Sequence, residues 1–258
     1  ADFRRKDMAY GGGGAPFAPA FHTFLLGKLN QKAAVVNIGG MANITILDKK
    51  LIGYDTGCGN VLMDLWTAKY QKKPYDKDGK WAREGAIDYP LLDTMLSDDY
   101  FKQNPPKSTG REKFNESWLE DKICRVDSCL RRNDNNPSSS GLTRGSKEIL
   151  KQVRDDKQLQ ADIQRTLLEF TALSIANEVL KFRRDKVLFC GGGAKNSFLI
   201  ERIRVLLPDI EISILLQGDM LEAMMMAWLA YKRMHNEPIG LKDVTGALRN
   251  AVCGGVYA

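Results

Sequence analysis

Residues Leu51–Trp66, LIGYDTGCGNVLMDLW, run from an apolar stretch through a carboxylate and three glycine-spaced residues into a second apolar segment. Leu51–Asp55 reads as a β-strand. Asn60 is a plausible N-cap, and Val61, Leu62, Leu65, Trp66 and Lys69 continue at helical spacing. Upstream, residues 33–47, AAVVNIGGMANITIL, read as two strands, Ala33–Ile38 and Ala42–Leu47, joined by a Gly-Gly turn. Paired glycines between β-rich runs signal a hairpin, because such turns need positive φ. Downstream, Leu168, Ala172, Ile175 and Val179 mark a long amphipathic helix. Lys186–Cys190, KVLFC, is a buried-strand candidate, followed by GGGAKN and a helix with Leu199, Ile203, Leu206 and Leu207 on one face. Asp219–Met234 reads as another helix, and Leu91–Leu96 as a short one. Strands alternating with helices imply an α/β fold with helices packed on a sheet.

The 258 residues, 43% hydrophobic, suffice for one large domain or two smaller ones. No uninterrupted apolar run approaches the roughly 18 residues of a membrane span. The opening ADFRRKDMAYGGGGAP has no apolar core behind its arginines and does not read as a signal peptide; without an initiator Met, it suggests a start inside something longer. Cys58, Cys124, Cys129, Cys190 and Cys253 are odd in number, dispersed and without a CxxC pair. That predicts a reducing cytoplasm and neither a disulfide framework nor a zinc site. The net charge of +6 is scattered, with no basic stripe interleaved with stacking aromatics, so no nucleic-acid partner is expected. Residues 124–158 shift in composition: RRNDNNPSSSGLTRGSK is rich in turn formers and reads as a mobile surface insertion.

Three glycine-rich joints follow probable strands: Gly39-Gly40, Gly57-Cys58-Gly59 and Gly191-Gly192-Gly193. Glycine there lets backbone N–H groups approach phosphate oxygens; any one joint alone is more readily an ordinary tight turn, and three at strand ends in one chain weigh against that. Neither GxxxxGK[ST] nor GxGxxG occurs, which excludes the P-loop and Rossmann fingerprints. Asp55 sits at a strand end, where α/β proteins place reactive groups. It could accept a proton or hold Mg²⁺ through water, or simply form an Asx-turn with the amides near Gly57.

The blocks DFRRKDMAYGGGGAPFAPAFH, NIGGMANITIL, GYDTGCGNVLMDLW, YDKDGKWAREG, PKSTGREKFN, DIQRTLLEFTALSIA, CGGGAKN and EAMMMAWLA…VTGA run in the order seen in anhydro-N-acetylmuramic acid kinases. The chain resembles that family along nearly its whole length except about 124–158. The resemblance implies the ribonuclease H-like/actin-like ATPase superfold, with a mixed sheet and packed helices. It also implies ATP as phosphoryl donor, Mg²⁺ and a cytoplasmic homodimer, beside the expectation from charge and hydropathy of no nucleic-acid or membrane partner. Water would open the 1,6-anhydro bridge while O6 takes the γ-phosphoryl group, giving N-acetylmuramic acid 6-phosphate for recycling of cell-wall sugars. By the same matching, Asp55 is the general base, Gly39, Gly40 and Asn43 lie near the phosphates, and Gly191, Gly192, Gly193 and Asn196 lie against the nucleotide. Arg4 and Arg5 would meet the substrate's lactyl carboxylate, and Glu222 a sugar hydroxyl; no residue is assigned to a metal. Surface arginines and an exposed first-turn glutamate need no such role.

Family members begin with a further lobe bearing a GTSxDG-like phosphate loop, and no such motif occurs here. The resemblance therefore divides the chain into the end of that lobe with a hinge (1–30), a second ATPase lobe (31–235) and a C-terminal tail (236–258). Cys58 stands where the family usually has proline, which should loosen that loop, Gly13 stands in place of glutamine, and the stretch between Leu216 and Asp219 is shortened. Two other readings remain: a catalytically incompetent half-kinase acting as a binding module, or a different sugar kinase of the same superfold. Met224–Met226 with Trp228 read as core packing, and His22 as a structural histidine.

Overall fold

The computed structural model describes residues 2–26, 32–47, 51–132, 142–215 and 220–255. In chain order the elements are α1 (Arg4–Ala9), α2 (Ala18–Leu26), β1 (Ala33–Ile38), β2 (Met41–Ile46), β3 (Ile52–Cys58), α3 (Val61–Gln71), α4 (Tyr89–Leu96), α5 (Asp99–Lys102), α6 (Glu116–Arg132), α7 (Leu142–Asp155), α8 (Lys157–Leu180), β4 (Lys186–Cys190), α9 (Ser197–Leu206), β5 (Glu211–Ile214), α10 (Leu221–Met234) and α11 (Lys242–Thr245). The sheet order is β3-β2-β1-β4-β5. β1–β2 and β2–β3 are antiparallel, whereas β1–β4 and β4–β5 are parallel, so the sheet is mixed, as expected.

The central strand explains why helices cover both faces. Ala34, Val36 and Ile38 of β1 point into a large core shared with α3, α4, α8 and α9. Ala33 and Val35 point the other way, into a smaller cluster with Phe21 and Leu26 of α2 and Leu221 of α10. All five are fully buried, the pattern of a strand covered on both sides, and each buried Val or Ile contributes roughly 1.5–3 kcal/mol. No helix among the described residues is long and apolar enough to cross a membrane.

Two expectations are corrected. Rather than amphipathic, α8 is buried around most of its circumference, because α3, α4 and α9 cover the side turned away from the sheet. Some of its polar groups are partnered, since Arg165 Nη1 donates to Glu169 Oε2 at 2.8 Å and Trp66 Nε1 donates to the Gln160 carbonyl at 2.9 Å, whereas the buried Gln164 side-chain amide has no hydrogen-bond partner. The 124–158 stretch is not a loop excursion over the residues described. There α6 runs on to Arg132, and α7 places Ile149 and Val153, one turn apart, in the main core. Residues 133–141 and the shortened Leu216–Asp219 segment lie outside the described residues. The two ends of the chain pack together: Phe3, Phe17, Leu229, Ile239, Leu241 and Cys253 share a cluster, and Thr245 Oγ1 donates to buried Asp7 at 2.8 Å. Met225 and Trp228 pack partly against this cluster, whereas Met226 is exposed.

Candidate active site

The hairpin turn is built differently from the sequence expectation. Ile38 pairs with Ala42, and neither Gly39 nor Gly40 adopts positive φ. Their carbonyls instead receive the start of α3: Gly39 O accepts from Asn60 N at 2.8 Å, and Gly40 O accepts from Gly59 N at 2.9 Å and Val61 N at 3.1 Å. Asn60 makes no side-chain cap, so the turn satisfies amides a capping side chain would otherwise take. A Cβ on Gly59 would lie 2.2 Å from Gly39 O, so close approach is what demands glycine here. Cys58, expected to loosen a loop, is buried within β3 opposite Met41.

Asp55 lies within β3 rather than past its end. It stands opposite Asn43 beside a bulge, since Ala42 pairs with Gly57 and leaves Thr56 without an opposite number. β3 is an edge strand, and the loop carrying PKSTGRE runs along that edge: Asp55 N donates to Lys107 O at 3.2 Å. The loop also holds the side chain. Ser108 Oγ donates to Asp55 Oδ2 at 2.7 Å, and Thr109 N donates to the same oxygen at 3.0 Å. Tyr100 OH fixes the backbone by donating to Asp55 O at 2.6 Å. The carboxylate is therefore not spent on an Asx-turn with Gly57. Asp55 is only 8% exposed, and burial raises its pKa above the ordinary carboxylate value. The Thr109 and Ser108 hydrogen bonds oppose that rise, and the like charge of Glu112 adds to it. A desolvated carboxylate with one oxygen anchored and the other free of such bonds among the described residues is arranged to accept a proton. Ser108 and Thr109 were not singled out from sequence as site residues: a polar triplet in a loop gives no sign that it binds a carboxylate 53 residues away.

Two cavities flank the sheet's glycine joints. The larger, about 470 Å³, brings together Arg4, Gly39, Asn43, Gly191, Gly192 and Glu222, with His22 and Asn37 also in its wall. The other, about 430 Å³, is lined by Gly192, Gly193 and Asn196 together with Asn60, Asp64 and Asp76–Asp78. Gly192 borders both; a Cβ there would find only Asn60 Nδ2, at 3.9 Å, so this is open backbone. Gly191 has φ +83°, and a Cβ would lie 2.4 Å from Asn37 Oδ1, which makes glycine obligatory. Asn196 also caps α9, its Oδ1 accepting from Leu199 N at 3.1 Å.

Asp55, Arg5 and Gly40 line neither cavity. Asp55 adjoins the larger one through its cross-strand neighbour Asn43, whose buried Oδ1 has no hydrogen-bond partner. Arg5 is turned to the surface and pairs with Asp2 at 2.8 Å, and Gly40 faces the Arg111 guanidinium. Glu222 is exposed in the first turn of α10. His22 behaves as the expected structural histidine: its Nδ1 lies 2.9 Å from Thr45 Oγ1, and burial pulls its pKa down to about 4. No three His, Cys, Asp or Glu side chains converge on a metal position among the described residues.

Asp64, in the wall of the smaller cavity, titrates in a useful window. Burial pushes its carboxyl up to about 6, with the Arg111 charge opposing. Between the unfolded value of 3.8 and about 6 the native state holds a proton the unfolded chain has lost, so this group makes stability fall as pH rises. His22 acts oppositely between about 4 and 6.5, where the unfolded chain binds the extra proton. Asp64→Asn should therefore make stability climb more steeply from about pH 4 to 6. Urea midpoints at several pH values measure this; a flatter profile than the parent's contradicts the assignment.

Comparison with known proteins places this geometry in a family. The family model described as anhydro-N-acetylmuramic acid kinase matches residues 1–258. Proteins of that name from Sulfurovum sp. (strain NBC37-1) and Sulfurimonas denitrificans are 55% and 45% identical, each over 100% of this chain. One from Aliivibrio fischeri is 44% identical, also over 100% of it. The chain spans only 64–65% of these relatives' own length. Among solved structures, the activator of the 2-hydroxyisocaproyl-CoA dehydratase from Clostridium difficile with bound ADPNP aligns over 85% of this chain and 66% of its own, at 15% identity and a TM-score of 0.43. That likeness is too loose to argue from. The family match over residues 1–258, together with relatives of that name up to 55% identical along the whole chain, is decisive: the chain belongs to the anhydro-N-acetylmuramic acid kinase family.

Proposed function

We propose that this chain supplies the catalytic base and much of the substrate cavity of an ATP-dependent kinase acting on anhydro-N-acetylmuramic acid. The observation that carries the reading is the buried Asp55 carboxylate, anchored through one oxygen by Ser108 and Thr109. Asp55 takes a proton from water as the water oxygen bonds to the anomeric carbon. The C1–O6 bond breaks, O6 takes the γ-phosphoryl group of ATP, and ADP leaves with N-acetylmuramic acid 6-phosphate as the other product. Arg4 and Glu222, both in the wall of the larger cavity, suit a sugar bearing both a carboxylate and hydroxyls, whereas Arg5 is outside that wall and pairs with Asp2. The Gly191–Gly193 backbone lies along the two cavities and fits nucleotide phosphates, with Gly39 and Asn43 on the larger cavity's side and Asn196 on the other's.

Mg²⁺ would enter on the nucleotide. The described residues form no cage of three ligands, and this ion commonly keeps its waters and substrate phosphates as partners. Its chemistry there is neutralisation of charge on the transferring phosphoryl group. The same reading takes in a homodimer, a cytoplasmic setting, a role in cell-wall sugar recycling and the division near residues 30 and 235. A module that binds ligand without turnover is the second reading.

The test is a turnover assay of this chain alone and extended to its relatives' length, with the anhydro sugar against ordinary hexoses in ¹⁸O-labelled water. Sugar 6-phosphate carrying one label from water supports the reading. Phosphorylation of hexoses without label would replace it with another sugar kinase, and ligand binding without product would leave the binding module.

A further inference from the structure

The loop that holds Asp55 is itself tied down from behind. Lys107 and Glu178 are buried to 1% and 3% side-chain exposure, with Nζ 2.8 Å from Oε1. The other carboxylate oxygen accepts from Tyr54 OH at 2.8 Å and from Lys181 Nζ at 2.6 Å. The Lys107 ammonium lies 4.9 Å from the Tyr100 ring centre and 5.7 Å from that of Tyr54. Both rings belong to Asp55's surroundings: Tyr54 precedes it in β3, and Tyr100 donates to its carbonyl. Lys107 is thus held at both ends, its carbonyl by Asp55 N and its ammonium by a carboxylate on α8.

We propose that the Lys107–Glu178 pair is a positioning latch for Asp55, fixing the register of the loop so that Ser108 and Thr109 meet the carboxylate. The role rests on Asp55 being the base proposed above. A buried ion pair seldom stabilises more than well-packed apolar residues of the same volume, so its use here is better explained by register than by stability. Register matters in this segment because consecutive residues make different contacts beside an edge strand, Lys107 with Asp55 N and Glu178, and Ser108 and Thr109 with the Asp55 carboxylate. A slip of one residue would turn Lys107 out of the core and carry the Ser108 hydroxyl away from Oδ2. Around Asp55 the titratable groups include Glu112 of the same loop, Tyr100 of α5, and Tyr54 and Cys58 of β3; the charged groups around those rings include Lys113, the latch and Lys181.

The experiment is a ¹³C NMR titration of the Asp55 carboxyl in this chain, which needs no turnover. Ser108→Ala should raise the midpoint by about one pH unit, a tenfold gain in proton affinity, by removing one hydrogen bond to the charged form. The charge-neutral variant Lys107→Met/Glu178→Gln, which keeps an acceptor for Tyr54, should raise it comparably. Adding Ser108→Ala to that variant should then produce little further rise. An unmoved midpoint in the latch variant beside a moved one in Ser108→Ala overturns the proposal. If the double variant does not fold, Glu178→Gln alone decides. Loss of a negative charge by itself lowers the Asp55 midpoint, so a rise reports release of the loop, and a fall or no change rejects the latch. Failure of the base assignment would appear elsewhere, as undiminished turnover by Asp55→Asn.

Discussion

Asp55→Asn, carried in a chain of its relatives' full length, is expected to lower turnover of the anhydro sugar by about 10²–10⁴-fold with the fold unchanged. The substitution is nearly isosteric. The side-chain oxygen of asparagine can still accept from Ser108 Oγ and Thr109 N, so the anchoring contacts survive. What it loses is proton affinity, and with that the capacity to deprotonate water. The pH profile gives a second reading of the same variant. A base must be ionised to act, so kcat/KM of the parent should rise with pH through the Asp55 pKa, which burial sets above the ordinary carboxylate value. That acid limb should vanish from the residual activity of the variant. Steady-state assays across pH measure both, and full turnover by Asp55→Asn would remove the base from the mechanism.

The parts of this arrangement legible in the sequence are those that local physics decides. The strand character of Ala33–Ile38 and Lys186–Cys190 follows from apolar, β-prone runs bounded by glycine, and the structure has both at the expected residues. The helix after Asn60 was legible too, but its cap was not. The group that satisfies its first amides is a carbonyl pair from a hairpin about twenty residues earlier, and no local pattern encodes that. β5, EISI, was missed because it is four residues long and partly exposed at a sheet edge. α7 was missed because the polar stretch before it hides the Ile149–Val153 spacing. At the site, Asp55 and the glycines were legible from their setting at strand–turn joints, or through the family resemblance. The loop that controls Asp55 was not, because its function lies in contacts to β3 and α8, separated from it by 53 and 71 residues. Arg5, next to Arg4 in sequence, lies about 100° round the helix from it and pairs with Asp2 at the surface.

Lys107→Met alone should destabilise the chain by about 3 kcal/mol, near the lower end of the cost of stranding a buried charge. The loss comes from what remains: Glu178 keeps its position in the core with Tyr54 and Lys181 as partners, and Lys181 is half exposed. Adding Glu178→Gln removes the stranded charge, so the double variant should recover most of the loss although it has fewer polar contacts than the single one. The pH dependence should differ in a matching way. Burial alone would push the Glu178 pKa up, but the hydrogen bonds from Lys107, Lys181 and Tyr54 outweigh it and hold the pKa below the ordinary 4.5. A carboxylate depressed in the native state contributes stability that is complete above its unfolded pKa and lost as pH falls through the folded one. The parent should therefore lose stability on acidification below about pH 4.5 through this group, and Lys107→Met should flatten that part of the profile. Urea unfolding of parent, single and double variants between about pH 3 and 7 measures both effects. A single variant within about 1 kcal/mol of the parent would mean that water reaches Glu178 when the lysine is gone, and a pair that water can replace has no means of fixing the loop against β3.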